Sequence, residues 1–122
     1  MVQKTLLVLL LMVFVFSGCQ DNKQAKTDIL GDWESIDWYI KNTGEKVNQK
    51  MDFSFDDASN YMVDYGSQKE EGSYYISFDK LYTTETGQKE KNVKIVRLDA
   101  DTMIFEMNRA GSLELIVLSK RK

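Results

Sequence analysis

The sequence predicts an all-β domain, an antiparallel up-and-down barrel of about eight strands, on three observations. Apolar and polar residues alternate with period two from Asp32 to Leu118, which marks strands with one buried face. Turn signals break that alternation every ~8–12 residues, the spacing of a sandwich or barrel. Helical spacing is sustained nowhere in the stretch. A chain of 122 residues has room for one such domain, and with 43% hydrophobic and 11% aromatic residues it can bury a core.

Residues 1–18 read as an address rather than a fold element. After Lys4 comes the apolar run Leu6–Phe16, within the ~7–15 residues of a signal-peptide core and short of the ~20 that span a bilayer as a helix. It ends at Phe16-Ser17-Gly18-Cys19, which resembles the lipobox of bacterial lipoproteins, with Phe16 where an aliphatic residue is usual. That resemblance implies that the peptide is cut before Cys19 and that the thiol carries diacylglycerol. The chain would then bind membrane through the anchor on Cys19, since each buried lipid methylene contributes ~0.8 kcal/mol. Residues 19–28 are expected to be the lipidated Cys and a flexible, polar tether, because Gln20–Asp28 has no periodic apolar positions. Gln20 stands where an Asp would resemble an inner-membrane retention signal. The expectation is therefore the cell envelope, the outer membrane in a Gram-negative cell, and its periplasmic face.

The barrel occupies residues 29–122. Its first strand is Trp33–Ile40, with Ile36, Trp38 and Ile40 on one face and a bend implied at Trp33. Asn42-Thr43-Gly44 turns toward Met51–Phe55, and Asp56–Ser59 turns again toward Tyr61–Tyr65. Gly66-Ser67 then precedes Gly72–Phe78, Asp79-Lys80 precedes Leu81–Thr84, and Glu85-Thr86-Gly87 precedes Asn92–Leu98. Asp99-Ala100-Asp101 leads to Thr102–Met107, and Arg109-Ala110-Gly111 leads to Leu113–Leu118. Closure removes the exposed edges that a chain with no Pro has few means to protect.

Leu30-Gly31-Asp32-Trp33 at the entrance to the first strand matches the Gly-x-Trp of lipocalins, and Gly72-Ser73-Tyr74-Tyr75-Ile76 before Leu81 is similar to the middle of small bacterial lipocalin-like lipoproteins of the Bacteroidota type. The resemblance runs from Ile29 to Lys120. It implies that Gly31 and Trp33 close one end of the barrel, with a basic residue of the last strand, Lys120 or Arg121, packed over the indole. It departs from larger lipocalins in having no Thr-Asp-Tyr motif and no Cys pair.

Composition excludes most chemistry. The chain has no His and one Cys, which removes His-based triads, His or Cys metal sites and internal disulfides. A formal net charge of -3 gives no basic field for nucleic acid. No cofactor, metal or catalytic residue is assigned, and the chain is expected to be a monomeric binding protein, not an enzyme. Ile36, Trp38, Phe53, Phe55, Tyr61, Tyr74, Ile76, Met103, Phe105 and Leu115 are the expected inward residues. Of these, Trp38, Phe53, Phe55, Tyr61, Tyr74, Met103 and Phe105 are the candidate ligand contacts. Met62, Met103 and Met107 would adapt to ligand shape, and Tyr61, Tyr65, Tyr74 or Tyr82 would supply a hydroxyl. Two readings stay open, since an eight-stranded barrel is just wide enough to be filled by side chains or to hold one small ligand. The partner is a small apolar ligand in one reading and an envelope protein, met through the loops, in the other. Asp56-Asp57 and Asp99-Ala100-Asp101 lack the grammar of a Ca²⁺ loop and read as turns. Glu34, Glu70, Glu71 and Glu106 imply no polar pocket around them. The basic C-terminus Ser119-Lys120-Arg121-Lys122 reads as a solvated end.

Overall fold

The computed structural model describes residues 21–122; the expected signal peptide, the lipobox and Cys19 lie outside the described residues. Eight antiparallel strands follow one another around a closed barrel, the last returning to pair with the first. They are β1 (Gly31–Ile40), β2 (Asp52–Phe55), β3 (Asn60–Asp64), β4 (Lys69–Ser77), β5 (Lys80–Glu85), β6 (Glu90–Leu98), β7 (Thr102–Arg109) and β8 (Ser112–Lys120). Each expected run of alternation falls on one strand. β4 starts earlier than its apolar residues suggest, because Lys69 and Glu70 pair with Asp64 and Val63 across the hairpin. Gly72 lets β4 and β5 come together there, as a Cβ at this position would lie 2.0 Å from the carbonyl oxygen of Thr84. Among the described residues no helix is long and apolar enough to cross a membrane.

Ile36 corrects the expected face of β1. Trp33 and Trp38 are both buried, yet their spacing of five would place them on opposite faces of a regular strand. One extra residue resolves the conflict. Ser35 pairs with Leu118 and Asp37 with Val117, so Ile36 bulges outward and is 63% exposed. The same device recurs where Ile95 pairs with Phe105 and Arg97 with Ile104, leaving Val96 half exposed. Leu115 is the other correction to the expected interior. It pairs with Glu106 and Tyr39 on the outer wall, while Glu114, Ile116 and Leu118 face in. β8 offers apolar residues on both faces, so its alternation alone did not choose between them.

Just ahead of the bulge β1 parts from β2. Their pairing ends at Trp33 with Phe53, and the amide of Ser35 donates instead to the Asp52 carboxylate at 3.1 Å. The chain after β1 covers the vacated edge, with Val47 N–H donating to Trp38 O and Ile40 N–H to Glu45 O, each at 2.9 Å. Thus the backbone donors at the split are satisfied without a continuous sheet.

The segment expected as a polar tether is an α-helix, α1 (Asp21–Asp28). Eight residues are too few for a stable isolated helix, so its partners matter. Ala25 packs against the core and Ile29, just past the helix, is fully buried. Of the last carbonyls, which a helix leaves unpaired, Ala25 O and Thr27 O accept from the amides of Ile29 and Leu30, and side chains from the barrel take the next two. Trp33 Nε1–H donates to Ile29 O at 2.8 Å and Lys120 Nζ donates to Asp28 O at 2.7 Å.

Candidate functional site: a half-filled barrel

Up-and-down topology gives the barrel two ends, one at the start of β1 and one at its finish. At the first end Trp33 is fully buried under Ile29, and a cation lies over its ring. The cation is Lys120, with Nζ 4.9 Å from the ring centroid. Arg121, the alternative taken from the resemblance, turns the other way and binds Asp52 at 3.0 Å. Register explains the choice, since Lys120 pairs directly with Trp33 and the next residue alternates outward. Gly31, at φ 115°, brings its backbone beneath the Lys120 side chain, whose Cε lies 3.8 Å from where a Cβ would stand.

The same half of the interior is solid. Phe55 stands edge-on to Tyr74 with ring centroids 4.9 Å apart, and Tyr74 Oη–H donates to Asp56 O at 2.8 Å. Met103 is fully buried. Phe55, Tyr74 and Met103, three of the candidate ligand contacts, therefore do not line the free space of the interior.

That space is a cavity of about 120 Å³ in the half away from Trp33. Phe53, Tyr61 and Phe105 form its floor, with Val63, Leu81 and Val93 on the walls and the partly buried Met51, Tyr65 and Met107 toward the rim. Of the adaptable methionines expected at a site, Met107 lines it, Met103 lies in the solid half, and Met62 pairs with Ser54 and Glu71 on the outer wall. Tyr82 is also outside, stacked on Tyr75 at 4.7 Å. Trp38 is buried beside the cavity rather than lining it, with its Nε1–H bonded to Glu114 at 2.7 Å and Arg109 5.7 Å above the ring.

Glu70 overturns the expectation that no polar pocket surrounds it. Opposite Val63 in the hairpin, it points inward and is buried. Tyr61 Oη–H donates to Oε2 at 2.5 Å, Tyr65 Oη–H to Oε1 at 2.9 Å, and Lys91 Nζ to Oε1 at 3.0 Å. Burial alone would raise the carboxyl pKa, but the donors from Tyr61, Lys91 and Tyr65 outweigh it and hold it below its ordinary value. Burial and the Glu70 charge push both tyrosine hydroxyls well above theirs. The cavity therefore has apolar walls and one fixed anion. Thr83, Lys91 and Asn92 complete its polar lining. Spacing in the sequence carried no sign of this group, because Lys69-Glu70-Glu71 reads as solvated until the hairpin register is known.

The larger concavity is outside. A groove of about 680 Å³ crosses the outer wall of β1 to β5, bordered by Asp32, Asp56, Glu71 and Glu85 and by hydroxyls of Ser54, Ser73 and Thr84. The Asp-rich turns spend their carboxylates on backbone amides, Asp56 on Ala58 and Asn60, Asp99 on Asp101 and Thr102. Arg97 and those amides hold the Asp99 carboxyl far below the usual range, the amide of Asp101 most.

Comparison with known proteins agrees with this architecture. The family described as Lipocalin-like domain matches residues 29–105. A solved structure of a lipocalin-like protein from Bacteroides uniformis ATCC 8492 superposes with a TM-score of 0.57 at 16% identity, covering 77% of this chain and 99% of that one. An uncharacterized protein from Bacteroides eggerthii DSM 20697 gives the same score and identity, covering 77% of this chain and 100% of its own. At this identity both likenesses speak to the fold alone. No curated protein sequence matches the chain.

Proposed function

The chain belongs to the lipocalin-like domain family, and from that premise we propose that it is a lipid-anchored binding module holding a small apolar ligand at the cell envelope. The observation that carries the reading is the cavity of about 120 Å³ beside Phe53, Tyr61 and Phe105. Cavities of ~150 Å³ lined by apolar residues take up benzene, so the space suits one ring or a short chain. Pockets for drug-sized ligands run to ~300–1,000 Å³, and a larger guest would have to move the rim residues Met51 and Met107. The fold is one that usually serves binding rather than catalysis, and the site has a place for a guest and no pair of groups poised to exchange protons with it.

The anchor rests on the junction Ser17-Gly18-Cys19 after the apolar run. Cys19→Ser should move the chain from the detergent phase to the aqueous phase and block processing; unchanged partitioning would remove the anchor from the proposal. Uptake of an apolar fluorescent probe should disappear in Val93→Trp, which fills the cavity from a half-buried wall position, while the circular dichroism stays that of a β-barrel. Binding indifferent to that substitution would place the probe elsewhere.

A second reading, an interaction module that meets an envelope protein through its outer surface, is favoured by one observation. The outer groove, at about 680 Å³, is several times larger than the interior space. Capture of a partner that survives Val93→Trp but not Glu71→Lys with Glu85→Lys would support it.

A further inference from the structure

We infer that the cavity selects a small primary amine, whose ammonium takes the place of Lys91 on Glu70 while its hydrocarbon part fills the apolar space. The inference rests on the pocket reading above and adds the chemical class of the guest. Among the residues lining the cavity, the charged ones are Glu70 and Lys91. They are unequal partners. The Glu70 side chain is 9% exposed and is fixed by two tyrosine hydroxyls, whereas that of Lys91 is 55% exposed and reaches in from the rim. Lys91 can therefore withdraw into water at little desolvation cost, and Glu70 cannot. What Lys91 leaves behind is a carboxylate with two neutral donors, in low dielectric, needing a cation. A primary ammonium, with its three N–H donors, restores the bond at that oxygen, and the aromatic rings of Phe53, Tyr61, Tyr65 and Phe105 that line the space suit its hydrocarbon part.

A carboxylate guest meets the opposite situation. It would lie within a few ångströms of Glu70, and the two anions would compete for one ammonium. Lys50 and Lys89 on the loops of the same end, and Lys69 at the first position of β4, attract anions at long range, but they are exposed and screened by salt. The volume sets the size, one six-membered ring with a short amine-bearing arm or a chain of similar bulk.

Benzylamine, benzyl alcohol and benzoate form a matched set that varies charge at nearly constant shape. Ligand-observed saturation-transfer spectra of the purified full chain, against a detergent blank, should show benzylamine binding at least ~10-fold more tightly than benzyl alcohol and benzoate weakest of the three. Glu70→Gln should bring the amine and the alcohol to within ~2-fold of each other. Lys91→Met, which removes the competing ammonium and leaves Glu70 its two tyrosine donors, should tighten benzylamine several-fold, with circular dichroism checking that the barrel is retained. If the alcohol binds as well as the amine, or benzoate binds best, the amine inference is overturned and the pocket stands. If none of the three binds to wild type or to Lys91→Met, the pocket reading itself falls and takes the inference with it.

Discussion

Glu70 is ionised because three donors together outweigh its burial, and that balance makes it a source of pH dependence. Its folded-state pKa lies below the ordinary ~4.3 of a glutamate. A group shifted in this direction contributes stability that is complete above the unfolded value and is lost as pH falls through the folded one. Tyr61 and Tyr65, shifted upward by the same contacts, contribute stability present below pH ~10 and lost as pH rises beyond it. Glu70→Gln should therefore cost ~1–3 kcal/mol near neutrality, and the difference from wild type should shrink as pH drops from about 5 toward 3. Urea midpoints measured across that range test it, and a difference that stays constant with pH would mean that packing, not charge, was lost. The Glu70 cluster was not legible in the sequence, for a physical reason. A carboxylate in a polar run is solvated by default, and only the pairing of Glu70 with Val63 turns it inward.

At the scale of elements, the strands were legible and the irregularities between them were not. Period-two alternation is a local property, so Phe53 with Phe55 and Met103 with Phe105 identify their own buried faces without knowledge of partners. A bulge is a property of two strands, and the run around Ile36 reads equally well as regular. The odd spacing of Trp33 and Trp38 was the one trace of it. The helix α1 escaped because its polar residues offer no periodic face, and its end is held by Lys120 on Asp28 O and by Trp33 on the carbonyl of the buried Ile29 just beyond it. Because Ile36 is outside, Ile36→Lys should change stability by no more than ~0.5 kcal/mol. Deleting Ile36 should leave the barrel folded, since it removes the bulge and brings Trp33 and Trp38 to a spacing of four, which keeps both on the inner face of a regular strand. Chemical denaturation of both variants decides, and a costly lysine would show that the bulge residue is packed. The β7–β8 turn invites the reverse change. Ala110 and Gly111 form a two-residue connection with φ of 52° and 89°, the pattern of a type I′ turn that prefers Asn-Gly. Ala110→Asn should accordingly raise stability by about 0.5–1 kcal/mol, read as a higher midpoint with an unchanged m-value.

At the scale of the whole molecule, chain order sets the end that the described chain enters apart from the end that holds the cavity. Consecutive hairpins in a meander place alternate turns at alternate ends. The turns after β2, β4 and β6 lie with the start of β1 at the Trp33 end, and those after β1, β3, β5 and β7 lie at the cavity end. Their chemistry differs in the same way, with Asp56, Asp57, Asp99 and Asp101 at the first and Lys46, Lys50, Lys69 and Lys89 at the second. The proposed anchor on Cys19 would enter through α1 at the Trp33 end and, at ~1.5 Å per helical residue, would keep that end close to the bilayer. Ten residues of β1 at ~3.3 Å each, inclined by the ~35–45° strand tilt of a closed barrel, would then set the cavity mouth some ~25 Å further into the aqueous phase. Ala100 and Ala110 sit in turns at opposite ends, and Ala100→Cys and Ala110→Cys give each end one thiol in a chain whose own Cys would be occupied by lipid. On reconstitution from detergent into vesicles, a bulky impermeant maleimide should label the first several-fold more slowly and the second at an unchanged rate. Equal slowing at both positions, or slowing at Ala110→Cys alone, would overturn this orientation, because either result requires the mouth to face the membrane or the barrel to lie on its side.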